Sequence, residues 1–121
     1  MPPKLSGIMQ KVLSCFIIWN STVKTLTKDH RYSTGLKITN LFTDIIEQTS
    51  LAQFNSTDTL RVVYIDRAVA KNDTLKFMVF VLYELRAIDD KKFINLSLPI
   101  EEVGKMLYGW KRSIETKKKT P

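Results

Sequence analysis

Lys105, Arg112 and Lys119 recur every seven residues near the end of the chain. Seven residues are about two helical turns, so on an α-helix these cations fall in one row. Lys111, Lys117 and Lys118 stand close to that row, and Tyr108 sits among the cations. Clustered Lys and Arg suit phosphate oxygens, and each phosphate they neutralise adds to the salt dependence of binding. An aromatic ring in such a row can stack an unpaired base. Read alone, Tyr108 is first a bundle-edge aromatic and second a stacking platform. Arg67 and Lys71, with Arg61, could extend the patch from an earlier helix, where Asp58, Asp66 and Asp73 dilute it. The candidate nucleic-acid-binding residues are therefore Lys105, Tyr108, Lys111, Arg112, Lys117, Lys118, Lys119, Arg67 and Lys71.

Other chemistries find few residues to work with. His30 is the single His and Cys15 the single Cys, so neither a zinc cluster of these types nor an internal disulfide can form. His30 lies in a polar stretch between Asp29 and Arg31 and reads as a surface or capping residue. Glu101 and Glu102 are adjacent, which turns them roughly 100° apart on a helix rather than into a carboxylate pair. After Pro99 they suit a first helical turn, where negative charge complements the helix dipole. No Gly-rich phosphate loop occurs: Gly104 and Gly109 lie inside a helical pattern and Gly35 stands alone. No catalytic residue, metal or cofactor is expected, and an enzyme is the least supported class.

The chain has 121 residues, enough for one domain with a core of its own. Its 44% apolar content excludes a disordered chain. The net charge is +7, and residues 103–121 hold six basic residues against Glu115 alone, so most of the excess sits there. Such asymmetry points to nucleic acid, an acidic protein or an anionic surface as partner. The apolar stretch from Val12 to Trp19 is too short to span a bilayer. No small-residue cleavage site follows it. It reads as part of a first helix in a cytoplasmic protein, with Cys15 a small packed residue in a reducing compartment.

Apolar periodicity predicts four helices over about 5–27, 32–54, 57–88 and 90–117, forming one bundle over 1–116 with a basic tail at 117–121. Ser6 can cap the first. Asn55-Ser56-Thr57-Asp58 and Asp89-Asp90 can cap the third and fourth. Asn72-Asp73-Thr74 marks a weak point in the third helix. Ser97-Leu98-Pro99 predicts a kink or restart near 97–99 in the fourth. Ile100, Val103, Leu107, Trp110 and Ile114 follow 3-4-3-4 spacing and should form its buried stripe. Gly104 and Gly109 each lower helix propensity by about 1 kcal/mol relative to Ala, which close approach of a neighbouring helix would explain. Phe77, Val79, Phe80, Val81 and Tyr83 cover more than one helix face, so association with further copies is expected.

The stretch Glu102-Val103-Gly104-Lys105-Met106-Leu107-Tyr108-Gly109-Trp110 resembles the C-terminal signature of the accessory variability determinant (Avd-like) four-helix-bundle proteins. Arg31-Tyr32-Ser33-Thr34-Gly35-Leu36-Lys37-Ile38 is similar to the start of that family's second helix, and Asp89-Asp90-Lys91-Lys92-Phe93 to the polar start of its last segment. The resemblance runs from about Val12 to Ser113. It implies an all-α, up-down antiparallel four-helix bundle that assembles as a ring-shaped homopentamer with a basic surface. It also implies a non-catalytic partner of a diversity-generating retroelement. Such a protein binds the element's reverse transcriptase and its template RNA, or an RNA–DNA hybrid, and supports mutagenic cDNA synthesis. A related branch is encoded by intervening sequences in large-subunit ribosomal RNA genes. Its Ser-Ile-Pro-Leu-Asn-Ile-Ala-Glu-Gly-like stretch is replaced here by Leu41-Phe42-Thr43-Asp44-Ile45-Ile46-Glu47-Gln48, which favours the Avd branch. Where family members carry an extra basic residue midway along the third helix, this chain has the apolar Met78-Val79-Phe80-Val81. The alternatives are an oligomeric protein scaffold without a nucleic-acid role and a bundle of the intervening-sequence type.

Overall fold

A computed structural model describes residues 5–119, with side chains to Lys117. Among the described residues there are four long helices, one single-turn helix and no strand. They are α1 (Gly7–Val23), α2 (Lys28–Arg31), α3 (Thr34–Gln53), α4 (Asp58–Glu84) and α5 (Asp90–Lys119).

Ser6 starts α1 as expected, its hydroxyl accepting the Met9 N–H at 3.2 Å. The helix stops at Val23 rather than near 27. The Arg31 guanidinium donates to the carbonyls of Lys24 and Leu26, each at 3.1 Å, and holds this stretch in a turn. Leu26 is consequently buried from outside a helix. The polar stretch 28–31, expected as a turn, is itself the single turn α2. The chain then reverses sharply into α3. A Cβ at Gly35 would lie 2.9 Å from the His30 carbonyl oxygen, so this corner requires glycine. Arg31 and Gly35 thus have structural work in the segment that resembles the Avd-like second helix.

Asn55 organises the next turn, its side-chain oxygen accepting the Thr57 N–H at 2.8 Å. α4 buries Ile65, Ala68, Asn72, Leu75, Val79 and Leu82. It ends at Glu84, four residues short of the expected 88, because Arg86 adopts a φ of 60°. The Ala87 N–H then reaches the Leu82 carbonyl and the Arg86 N–H the Tyr83 carbonyl. This is a Schellman stop with arginine where glycine is usual. Ile88 is buried from the loop beyond. Asp89 caps α5 by accepting the Lys92 N–H at 2.9 Å, and the Tyr83 hydroxyl donates to Asp90 across the same corner. Of the kink or restart expected near 97–99, the restart does not occur: α5 is one helix through Pro99. Leu96 and Ile100 on either side of it are both fully buried, so core packing holds the helix through the proline. The helix also continues two residues past the expected 117, to Lys119, and residues 120–121 of the expected tail lie outside the described residues.

The long helices pack around one core, α1 and α4 each lying between α3 and α5. Paired residues run in opposite directions along neighbouring helices. Phe16 meets Phe42, while Trp19 donates its indole N–H to Thr39 at 2.9 Å. Lys11 pairs with Glu102, while Lys92 donates to Thr25. Asp66 pairs with Lys111, while Tyr83 stacks on Phe93. Trp19, Phe42, Ile38, Leu41 and Leu107 fill the centre. Cys15 lies among them, and burial pushes its thiol up to about 12, with Lys11 acting weakly the other way.

Trp110 departs from the expected stripe. It is half-buried at the core's margin, near Gly7, Ile8 and Met106. At roughly 100° per residue, Ile100, Val103 and Ile114 fall within about 40° of Leu107, whereas Trp110 is turned by about 60°. The tryptophan that fills the core is Trp19, 0% exposed. Among the described residues no helix is long and apolar enough to cross a membrane.

Candidate nucleic-acid interface

Leu107 anchors α5 in the core and so decides which way its neighbours face. Tyr108 is turned about 100° from it, Arg112 about 140° and Lys105 about 160° in the same sense. All three therefore emerge on the solvent side of the seam with α4. Tyr108 is 58% exposed. Together with Lys76, Asp73 and Asn72 of α4 they line an open depression of about 410 Å³. Among the described residues Lys105 and Arg112 make no ion pair. Lys76 approaches Glu101 at 3.9 Å with both side chains about half exposed, an arrangement that contributes little in solvent.

The two glycines of α5 shape this depression differently. A Cβ at Gly104 would lie 3.1 Å from the Asn72 amide nitrogen. That amide is buried and donates to the Ile100 carbonyl at 3.0 Å. The expected weak point in α4 is therefore a tie between α4 and α5, and Gly104 leaves room for it. Gly109 has nothing within 4 Å of its Cβ position, so close packing does not explain this second glycine. It borders the depression as bare backbone.

The remaining candidates lie elsewhere. Lys111 is turned toward α4, 2.7 Å from Asp66 and 4.0 Å from Glu115. The hydrogen bond to Asp66 holds its ammonium above the usual lysine value. Lys71 pairs with Asp44 of α3 at 3.3 Å, on the flank of α4 away from α5. Arg67, one turn earlier, lies 5.8 Å over the Tyr64 ring. Lys117 is exposed. It is nine residues from Tyr108, which turns it about half way round the helix. The side chains of Lys118 and Lys119 lie outside the described residues. The expected set thus separates into a cluster of Lys105, Tyr108 and Arg112, two cations already partnered by carboxylates, and others on different faces.

Lys76 belongs to the cluster, and sequence reasoning missed it. Its only local signal is position: it lies four residues after Asn72, so a helical α4 brings it to the same seam. Among the described residues no group of three or more His, Cys, Asp or Glu is placed to hold a metal ion.

Comparison with known proteins gives a likeness of fold. The chain superposes on the crystal structure of a protein of unknown function from the S23 ribosomal protein family of Bacteroides thetaiotaomicron, with a TM-score of 0.79. The match covers 86% of this chain and 97% of the other at 13% sequence identity. The likeness is one of fold, a four-helix bundle. No protein-family model matches the sequence, and no curated protein matches it.

Proposed function

We propose that this bundle is a non-catalytic accessory subunit of a diversity-generating retroelement, binding the reverse transcriptase and the template RNA or an RNA–DNA hybrid. The carrying observation is the cluster on α5: Lys105 and Arg112, which make no ion pair among the described residues, and Tyr108 exposed between them. Cations free of carboxylate partners can exchange counterions for phosphates without first breaking a salt bridge. The sequence resemblance to Avd-like proteins supplies the biological setting and the identity of the protein partner.

The same reading includes a ring-shaped homopentamer. Val79 faces the core, but Phe77 is 63% and Phe80 43% exposed on the neighbouring face of α4. An apolar face left open on a single chain is what a subunit contact would cover. The subunit count comes from the resemblance.

The test is affinity for a structured RNA across a salt series, with wild type and the Lys105→Glu, Arg112→Glu double variant. Wild-type affinity should fall steeply with salt. The variant should bind several-fold more weakly with a shallower slope and an unchanged circular dichroism spectrum. A flat salt response would favour the protein-scaffold reading. Light scattering that gives a 14.0 kDa particle would remove the pentamer.

A further inference from the structure

We infer that the depression at the α4–α5 seam is a seat for an unpaired nucleobase, with Tyr108 as its stacking platform, so that the preferred ligand is single-stranded rather than duplex nucleic acid. This rests on the nucleic-acid reading above and narrows its ligand to unpaired stretches of the template RNA, not the hybrid.

The charges that line the depression are mixed. Lys76, Lys105 and Arg112 line it, but so do Asp73 and Glu101. The balance is only +1, and Lys76 lies against Glu101. A phosphate seated here would meet two carboxylates. A neutral base would not be repelled, and its N–H groups could donate to a carboxylate. Lys105 and Arg112, without ion pairs among the described residues, stand on either side of Tyr108 along α5. Seven residues at 1.5 Å rise separate them by about 10 Å. Backbone phosphates flanking a seated base can reach one cation each.

The shape agrees. Helical side chains lean over the preceding turn, and for Tyr108 that turn holds Gly104, which adds no side chain of its own. Gly109 leaves bare backbone beside the ring. The depression is open to solvent and, at about 410 Å³, has room for one planar base. Duplex bases are stacked on one another and present no free face to a lone exposed ring. Single strands do, and stacking of this kind tolerates any base.

The experiment compares a labelled oligouridine with an RNA duplex carrying the same number of phosphates, by fluorescence anisotropy. Wild type should prefer the oligouridine. Tyr108→Ala should weaken oligouridine binding about tenfold and leave duplex affinity and the salt slope unchanged. Tyr108→Phe should retain the preference, because the ring remains. Tyr108 is exposed, so all variants should keep the wild-type melting curve. If Tyr108→Ala leaves the ratio of the two affinities unchanged while Lys105→Glu and Arg112→Glu weaken both probes, stacking is refuted and the phosphate-binding reading stands. If wild type binds neither probe, both readings fail and the surface faces a protein.

Discussion

Asn72 of α4 donates its side-chain amide to the main-chain carbonyl of Ile100 in α5, 3.0 Å away, across the space that Gly104 leaves empty. The bond sets a polar residue buried in one helix beside Gly104, a residue of low helix propensity, in the next. Each makes sense only beside the other, since a buried amide without an acceptor costs about 1–3 kcal/mol.

The two glycines of α5 should therefore respond oppositely to alanine. Gly109→Ala meets open space and should raise stability by up to about 1 kcal/mol through helix propensity. Gly104→Ala places a methyl group against Asn72 and should lower it. Urea unfolding of both variants is the check, and equal shifts in the same direction would remove the close-approach account.

Tryptophan truncation should separate the core from its margin. Trp19→Ala removes a fully buried ring and leaves Thr39 without its indole donor. A loss of roughly 3–5 kcal/mol is expected, a large part of a small domain's total. Trp110→Ala should cost much less and remain folded, because the ring is half solvated. Thermal melts followed by circular dichroism will rank them, and the reverse order would place the core wrongly.

Much of the fold can be read from local pattern. The 3.6-residue periodicity of Ile38, Leu41, Phe42 and Ile45, and of Leu75, Val79 and Leu82, is a property of each segment by itself, so the four long helices follow from it. Their ends follow less well, because they depend on contacts between segments. Nothing near Leu26 announces that Arg31 will hold the Lys24 and Leu26 carbonyls, and Arg86 does not look like a helix stop. Pro99 looks like a boundary because local chemistry makes it one, and only burial of Leu96 and Ile100 overrides it. The cationic cluster was half legible. Heptad spacing brings Lys105, Tyr108 and Arg112 together, but which lysines are neutralised, and that Lys76 joins, depends on which carboxylates the neighbouring helices present.

Arg86 offers a simple gain. A non-glycine residue in the left-handed region costs about 1–2 kcal/mol, and its φ of 60° is imposed by the Schellman stop. Arg86→Gly should raise stability by about 1 kcal/mol and the melting temperature by about 4 °C. A fall in melting temperature would mean that the arginine side chain makes a contribution larger than the strain.

Cys15 predicts an alkaline limit. Its folded thiol is raised from the ordinary 9.0 to about 12, so the native state retains a proton that the unfolded chain releases. Stability from this group is fully present below pH 9 and falls as pH rises from about 9 toward 12, by up to about 1.4 kcal/mol per pH unit. Cys15→Ala should flatten that part of the stability curve. Parallel curves for the two proteins between pH 9 and 11 would contradict the burial argument.

The backbone of α5 remains helical to Lys119, well past the point where Met106 lies opposite the start of α1. Ile114, beyond both Lys105 and Arg112, is buried, so these two cations stand on a packed helix rather than on a loose tail. Ordering a flexible residue on association costs roughly 1–2 kcal/mol of backbone entropy, and here that ordering is complete before any ligand arrives. A preorganised row of charges has a fixed pitch. It favours partners whose own charges can match that spacing, and it allows fast capture and release in place of the slow coupled folding of an unstructured lysine tract.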